Sequence, residues 1–385
     1  MTGASLRLSL DVTAVPADPV GAGRYTVDLV TALAARPDVD LTLWSRTGDV
    51  ARWEGWAGPS GSVRAAAPER RPLRLVWEQV RLPGLLRGAG VDVHHGPHYT
   101  MPERGRVPAV VTIHDLTFLD HPEWHERSKV PVFRRAIKVA ARRATALVCV
   151  SDQTAWRFEE LCRPLGRVFV VPHGVDHGRF RPEEPDAGSD RRLLDGLGVR
   201  SPYILFLGTL EPRKAVPELV AAFDRIAGEE AELTLVLAGR PGWGRAEVER
   251  AVGVARHRDR VIATGYVPDA AVPALLRGAV VVAYPALEEG FGLPALEALA
   301  CGAPLVTTAG TVMADLAGSA ALLAAPGSVD GLVTALRSAL AGSPGADDRR
   351  REGLAVAARH SWEASAEGHL AAYRWAAEAA RAAPP

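Results

Sequence analysis

Residues 279–307 read AVVVAYPALEEGFGLPALEALACGAPLVT. A short β-branched apolar run, 279–283, ends at Tyr284-Pro285, and a glycine loop, Gly290-Phe291-Gly292, follows. Leu293 then opens an apolar helical stretch, with Pro294 in its first turn, where proline is favoured. Gly302 and Pro304 stop that helix, and a second apolar run begins. The order strand, loop, helix, strand predicts a βαβ unit of a parallel sheet. A glycine loop feeding a helix N-terminus offers free backbone N–H groups and the positive end of the helix dipole, which together bind anions. It lies at the carboxyl end of a strand, where open α/β sheets usually take their ligands.

The same alternation runs outward through almost the whole chain. Further strands are expected at 6–10, 107–113, 146–150, 168–171, 203–207, 233–237 and 260–263. Helices are expected at 23–35, 130–144, 215–227, 245–255, 270–276 and 293–300. Uninterrupted apolar strands fit sheets covered on both faces. The polar stretch PEEPDAGSD, 182–190, reads as a linker. One α/β domain is therefore expected over 1–185 and a second over 186–360. An Ala- and Trp-rich helix over 361–385 is expected to rejoin the first. A length of 385 residues suits two such domains.

Composition removes several function classes. Lys plus Arg and Asp plus Glu both total 45, so no global charge draws the chain to nucleic acid. Cys149, Cys162 and Cys301 are far apart and form no CxxC pair, which argues against a disulfide framework or structural zinc. Residues 1–12 carry Arg7 and Asp11 and lack a long apolar core, so no signal peptide is expected. No apolar run approaches the 18 residues of a membrane span. Charge is uneven locally: residues 70–143 hold 14 Lys/Arg against 7 Asp/Glu. Within them, VPVFRRAIKVAARRA (130–144) and the Trp/Leu/Arg stretch 73–87 have the pattern of helices that lie on an anionic membrane, or of solvated helix faces. HHGPH, 94–98, has no neighbouring carboxylate or Cys set and reads as a loop on the acceptor side rather than a metal site.

Two segments carry chemistry. Glu289 and Glu297 flank the glycine loop, eight residues apart. Eight helical residues rise about 12 Å, whereas a glycosidase pair spans roughly 5–9 Å. The two carboxylates therefore suit a ligand with hydroxyls on each side of a central phosphate, the layout of a nucleotide sugar. The second segment is FLGTLEPRKA, 206–215. Only three lysines occur in the chain, Lys129, Lys138 and Lys214. Arg213 and Lys214 are expected in a first helical turn, where cations oppose the dipole unless an anion is close. The pair reads as a clamp for a diphosphate leaving group.

EEGFGLPALEALACGAP resembles the E-x7-E signature of retaining GT-B glycosyltransferases, and the chain is similar to glycosyltransferase family 4. GAGRY (21–25), TIHDLTFLDHPEW (112–124), VSD (150–152), VPHGVD (171–176), GTLEPRKA (208–215), LAGRPGWG (237–244) and TGYVPD (264–269) agree in order, so the likeness covers about residues 5–380. It implies two Rossmann-like domains facing across a cleft, the first binding acceptor and the second nucleotide sugar. Glu297 resembles the carboxylate on the ribose hydroxyls, Glu289 the one on the donor sugar, and Lys214 the phosphate-binding lysine. His114 resembles the histidine beside the donor sugar. Gly208, Thr209, Arg213, Gly290, Phe291, Gly292, Leu293, Tyr266 and Val267 fall in donor-binding segments. Gly21, Gly23, Arg24 and Tyr25 resemble the loop that approaches diphosphate and acceptor. Thr209 stands where the family often has arginine, His173 where Asn is commoner, and Asp315 where Glu is commoner.

The resemblance implies metal-independent transfer of a hexosyl group with retention, without a cofactor, to a glycan, lipid-linked or small-molecule hydroxyl acceptor. GTLEPRK and TIHDLTFLDHPEW look like mannosyl- and rhamnosyltransferases of cell-surface polysaccharide synthesis, so mannose from GDP-mannose is the expected donor. A cytoplasmic place is expected, with peripheral contact at the inner face of the membrane. A GT-B nucleotide-sugar epimerase or hydrolase is the alternative. A dehydrogenase would need a third glycine after Gly21 and Gly23, which Thr26 replaces. A non-catalytic membrane-bound scaffold is the remaining class.

Overall fold

A computed structural model describes residues 5–184, 186, 188–342 and 344–382. The expected boundary residue Pro185 and the last three residues of the C-terminal helix lie outside them. The chain divides into two compact units. One comprises Met1–Pro122, Arg127–Gly174 and Trp362–Pro385, the other Glu123–Glu126 and Val175–Ser361. The change of unit therefore comes at Gly174–Val175, ahead of the linker expected at 182–190. The intervening residues are tied into the second unit. Val175 N donates to His360 O at 3.1 Å, Arg179 to Asp269 O at 3.1 Å, and Arg277 to Arg181 O at 3.2 Å. The expected linker also holds the start of a helix, Ser189–Gly196, whose Asp190 receives both arms of the Arg277 fork at 2.6 Å each.

The first unit is a seven-stranded sheet in the order β3-β2-β1-β4-β5-β6-β7, every pairing parallel. Its strands are β1 (Leu6–Asp11), β2 (Val39–Arg46), β3 (Gly61–Ala67), β4 (Val93–Gly96), β5 (Ala109–Ile113), β6 (Ala146–Cys149) and β7 (Arg167–Val170). β5 and β6 are buried at every position, as continuous apolar runs should be. Strands β2, β3 and β4 were not expected. β2 and β3 are broken by polar residues, and β3 is an edge strand. β4, VHHG, is the HHGPH segment, and it corrects the acceptor-loop reading. His94 and His95 are buried, one on each face of the sheet. Ser9 Oγ meets His94 Nδ1 at 2.8 Å, and His95 Nε2 meets Thr112 Oγ1 at 2.8 Å. The last residue of the strand, Gly96, must be glycine, because a Cβ there would lie 1.9 Å from Thr100 O.

The helix Trp362–Ala382 belongs to this unit and buries Ala366, Leu370, Tyr373 and Ala377, a spacing of four, three and four that makes one apolar stripe. It is also held by a buried polar chain. His369 Nδ1 lies 2.8 Å from Ser365 O, which only accepts, so Nδ1 carries the proton. Nε2 then accepts from the Tyr25 hydroxyl, which accepts from Thr112 Oγ1, which accepts from His95 Nε2–H, while His95 Nδ1 accepts from the Tyr373 hydroxyl, each at 2.8 Å. One carbonyl thus fixes the proton order of five side chains.

The second unit is a six-stranded parallel sheet in the order β10-β9-β8-β11-β12-β13. Its strands are β8 (Tyr203–Leu207), β9 (Thr234–Ala238), β10 (Val261–Gly265), β11 (Val281–Tyr284), β12 (Leu305–Thr308) and β13 (Ala321–Ala324). β13 was not expected, since Ala-Leu-Leu-Ala is a short apolar run without a β-branched residue. Gly208 and Gly239 follow β8 and β9 with φ of +151° and +148°, and a Cβ on Gly239 would lie 2.0 Å from Gly208 O. The two strand ends approach this closely because position 239 has no side chain. Among the described residues, no helix is long and apolar enough to cross a membrane.

Candidate active site

The second unit gathers several of the predicted residues at the carboxyl ends of β8 and β11. Gly292, with φ +94°, precedes the helix Leu293–Ala300, and a Cβ on it would come within 2.5 Å of Met313 Cγ. Gly290, Phe291 and Gly292 are buried and Leu293 is half-buried. Arg213 and Lys214 do not stand in the first turn of a helix as expected. They form a 3-10 turn, Pro212–Lys214, separated from the helix Val216–Ile226 by Ala215 in the left-handed conformation, φ +48°. The turn is anchored by Leu287 N, which donates to Arg213 O at 2.8 Å.

Glu289 is the centre of a largely buried charge network, its own side chain 13% exposed. Its Oε1 lies 2.7 Å from an Arg213 nitrogen, 2.9 Å from the Tyr284 hydroxyl and 3.9 Å from Lys214 Nζ. Arg213 also binds Glu211 Oε2 at 2.8 Å and Glu288 O at 3.1 Å. Lys214 is buried, its ammonium 5.5 Å from the centre of the Tyr284 ring, and a Cβ on Gly208 would reach within 2.7 Å of Nζ. Gly208 therefore makes room for the lysine. Burial pushes the Glu289 carboxyl up, but Arg213 and Lys214 outweigh it and hold it below the usual range. Burial pulls the Lys214 ammonium down despite the Glu289 charge. Burial, then the Glu289 charge, raises the Tyr284 phenol, which stays a proton donor.

The other predicted donor residues are placed as follows. Glu297 is half-buried on the helix Leu293–Ala300, and Thr209 is half-buried beside Gly208. Tyr266 follows β10, is 40% exposed and lies under the Arg240 guanidinium at 4.5 Å, while Val267 is buried. Two members of the network, Tyr284 and Glu211, were not singled out from sequence. The available signal was an aromatic strand-end residue five positions before Glu289, which reads equally well as a turn residue.

In the first unit, His114 follows β5 and is 8% exposed. Its Nε2 lies 2.7 Å from Pro97 O, so Nε2 carries the proton and Nδ1 is an acceptor. Burial pushes its pKa down to about 3, so the ring stays neutral. Of the expected diphosphate loop, only Gly21 is a loop residue, with φ +52° at the start of the helix Ala22–Ala34. Gly23, Arg24 and Tyr25 lie inside that helix. Gly23 packs where a Cβ would meet Pro19 at 3.3 Å, and Arg24 pairs with Asp28 at 3.0 Å. Tyr25 is wholly buried, and its hydroxyl is spent on Thr112 and His369, so its place in a phosphate loop is corrected to a core position. The helix Arg71–Val80 leaves Leu73, Val76 and Val80 at 54%, 59% and 69% exposed. Among the described residues no group of three His, Cys, Asp or Glu could hold a metal ion.

Comparison with known proteins accounts for both units. Residues 19–179 match the family model Glycosyltransferase Family 4, and residues 201–342 match Glycosyl transferases group 1. The chain is 29% identical over 369 residues to O-antigen chain mannosyltransferase B of Escherichia coli, covering 92% of this chain and 96% of that protein. It is 31% identical over 326 residues to D-inositol 3-phosphate glycosyltransferase of Kribbella flavida, covering 78% and 74%. Among solved structures, sucrose-phosphate synthase from Thermosynechococcus elongatus superposes with a TM-score of 0.75 at 20% identity, over 97% of this chain and 100% of that one. That likeness shows the fold, and none of these relatives is an epimerase. The chain belongs to glycosyltransferase family 4 and is a glycosyltransferase of the GT-B fold.

Proposed function

We propose that the chain moves mannose, or a related hexose, from GDP-mannose to a hydroxyl acceptor with retention of configuration, in the synthesis of a cell-surface glycan or glycoconjugate. The largely buried Lys214–Glu289–Arg213 cluster beside a glycine-capped helix N-terminus carries this reading. The mannosyltransferase named above, aligned over nearly its whole length, supports the donor. Lys214 and the N–H groups of Gly290–Leu293 meet the diphosphate. Glu289 binds the hexose, Glu297 the ribose hydroxyls, and Tyr266 and Val267 the nucleoside end. The first unit takes the acceptor at the carboxyl end of its sheet, near Gly21, and His114 Nδ1 accepts from a sugar hydroxyl.

The C–O bond between anomeric carbon and diphosphate breaks as the acceptor oxygen bonds to the same face, and the departing phosphate oxygen takes the acceptor proton. Lys214 and the helix dipole stabilise the charge that develops on that oxygen, in a reaction that uses neither metal nor cofactor. Binding of GDP, UDP, dTDP and ADP, read as thermal shifts, tests the donor. GDP at about 100 times its Kd should add about 2.7 kcal/mol. No shift with any of the four would overturn the reading. The product linkage tests the stereochemistry, since α-GDP-mannose must give an α-mannoside.

The chain also docks peripherally on an anionic membrane through the exposed Leu73, Val76 and Val80, flanked by Arg70, Arg71 and Arg81. Sedimentation with phosphatidylglycerol vesicles should carry the wild-type chain down and leave Val76→Glu in solution. Equal sedimentation of the two would remove this docking face.

A further inference from the structure

The three closest contacts to the Glu289 carboxylate all fall on one oxygen. Arg213, the Tyr284 hydroxyl and Lys214 Nζ each approach Oε1, and none of these contacts uses Oε2. Arg213 is committed in three directions, to Glu211 Oε2, Glu288 O and Glu289 Oε1, and its side chain is only 12% exposed. A guanidinium held through Nε and Nη1 cannot swing as a whole onto a diphosphate without leaving the largely buried Glu211 and Glu289 charges unbalanced, which is strongly unfavourable. The four side chains form an alternating series, Glu211 negative, Arg213 positive, Glu289 negative, Lys214 positive. Only its last member has a longer contact, 3.9 Å, and so only Lys214 can be drawn away at small cost.

Tyr284 is itself immobile. It is 1% exposed, its ring stacks on Phe206 at 5.8 Å with 8° between planes, and Thr307 Oγ1 donates to its backbone carbonyl at 2.9 Å. The phenol therefore gives Glu289 a fixed donor from the end of β11.

We propose that Tyr284 and Arg213 are positioning residues: they pin one oxygen of Glu289 so that the other receives a hydroxyl of the donor hexose, and Lys214 alone supplies the cation for the diphosphate. This rests on reading Glu289 as the sugar-binding carboxylate. It replaces the reading of Arg213 as the second arm of a phosphate clamp.

Calorimetric titration of the full chain with GDP and with GDP-mannose separates the roles; UDP and UDP-glucose serve if the wild type prefers uridine. Tyr284→Phe keeps the ring and removes only the hydroxyl. It should leave the Kd for GDP unchanged, weaken GDP-mannose about tenfold, the scale of one hydrogen bond to a charged group, and lower kcat similarly. It should also shift the acid limb of the kcat profile upward, because Glu289 loses a donor to its charged form. Arg213→Met should behave alike toward the two ligands, and Arg213→Lys gives the same comparison if the methionine variant does not fold. Lys214→Met should weaken both ligands. If Arg213 variants weaken GDP as much as Lys214→Met does, Arg213 is a phosphate ligand and the proposal fails. A Tyr284→Phe chain equal to wild type in both titrations and in its acid limb also overturns it. Glu289→Gln is the control on the underlying reading: wild-type affinity for GDP-mannose in that variant would refute the sugar-binding role itself.

Discussion

Lys214→Ala is expected to lower turnover by about 10²–10³-fold, the scale for removing one preorganised group that stabilises transition-state charge. The ammonium is buried and lies 3.9 Å from Glu289 and 5.5 Å from the Tyr284 ring centre. In such a site the charge acts through little solvent, so its effect on a departing diphosphate exceeds what an exposed lysine could supply. The loss should come without unfolding. Glu289 keeps its Arg213 partner at 2.7 Å, so no isolated carboxylate is left behind. Some activity should persist, because the N–H groups at the start of the helix Leu293–Ala300 remain. Steady-state turnover with melting as a control checks this, and near-normal turnover in a folded variant would remove Lys214 from the mechanism.

Acid is expected to unfold the first unit steeply between pH 6.5 and 4.5. Burial pushes His94 and His114 down to about 3 and His369 to about 4. A histidine of lowered folded pKa is neutral in the fold and takes a proton once unfolded. Its stabilising share is therefore present above about pH 6.5 and lost as pH falls toward the folded value. Glu78 works in the opposite sense. Burial, and then the charge of Asp11, raises it to about 8, so the fold holds a proton there that the unfolded chain has released. Three histidines against one glutamate leave about two protons, or roughly 3 kcal/mol per pH unit. His95, His98 and His173, lowered by burial, add to this, and Asp11, raised by burial, subtracts. Protonating His369 Nε2 would also end its acceptance from Tyr25 and break the polar chain that ties down the C-terminal helix. Melting temperature against pH checks this. A flat curve from pH 7 to 5 would contradict the neutral, buried state of these rings.

The parallel α/β fold was legible because most strands are continuous apolar runs and the helices have a clear period. Tyr203–Leu207 and Leu293–Ala300 fall where the sequence places them. What escaped had a physical reason. VHHG looks polar, and it becomes a buried strand only because Ser9, Thr112 and Tyr373 supply partners from elsewhere in the chain. GAGRY looks like a ligand loop, but one turn of helix carries Tyr25 into the core. Arg213 and Lys214 were recognisable as a pair near an anion site. Their division between Glu289 and the space beyond it depends on the left-handed Ala215 and the anchor from Leu287, which no local pattern announces. Tyr284 joins the site through distance alone.

A crystal structure of the chain soaked with GDP-mannose tests the whole account most directly. Lys214 Nζ and the N–H groups following Gly290 should lie within hydrogen-bond distance of the diphosphate, with Glu289 Oε2 on a hexose hydroxyl and Glu297 on the ribose. Nucleotide bound elsewhere, with Glu289 and Lys214 still joined only to their own neighbours, would contradict it.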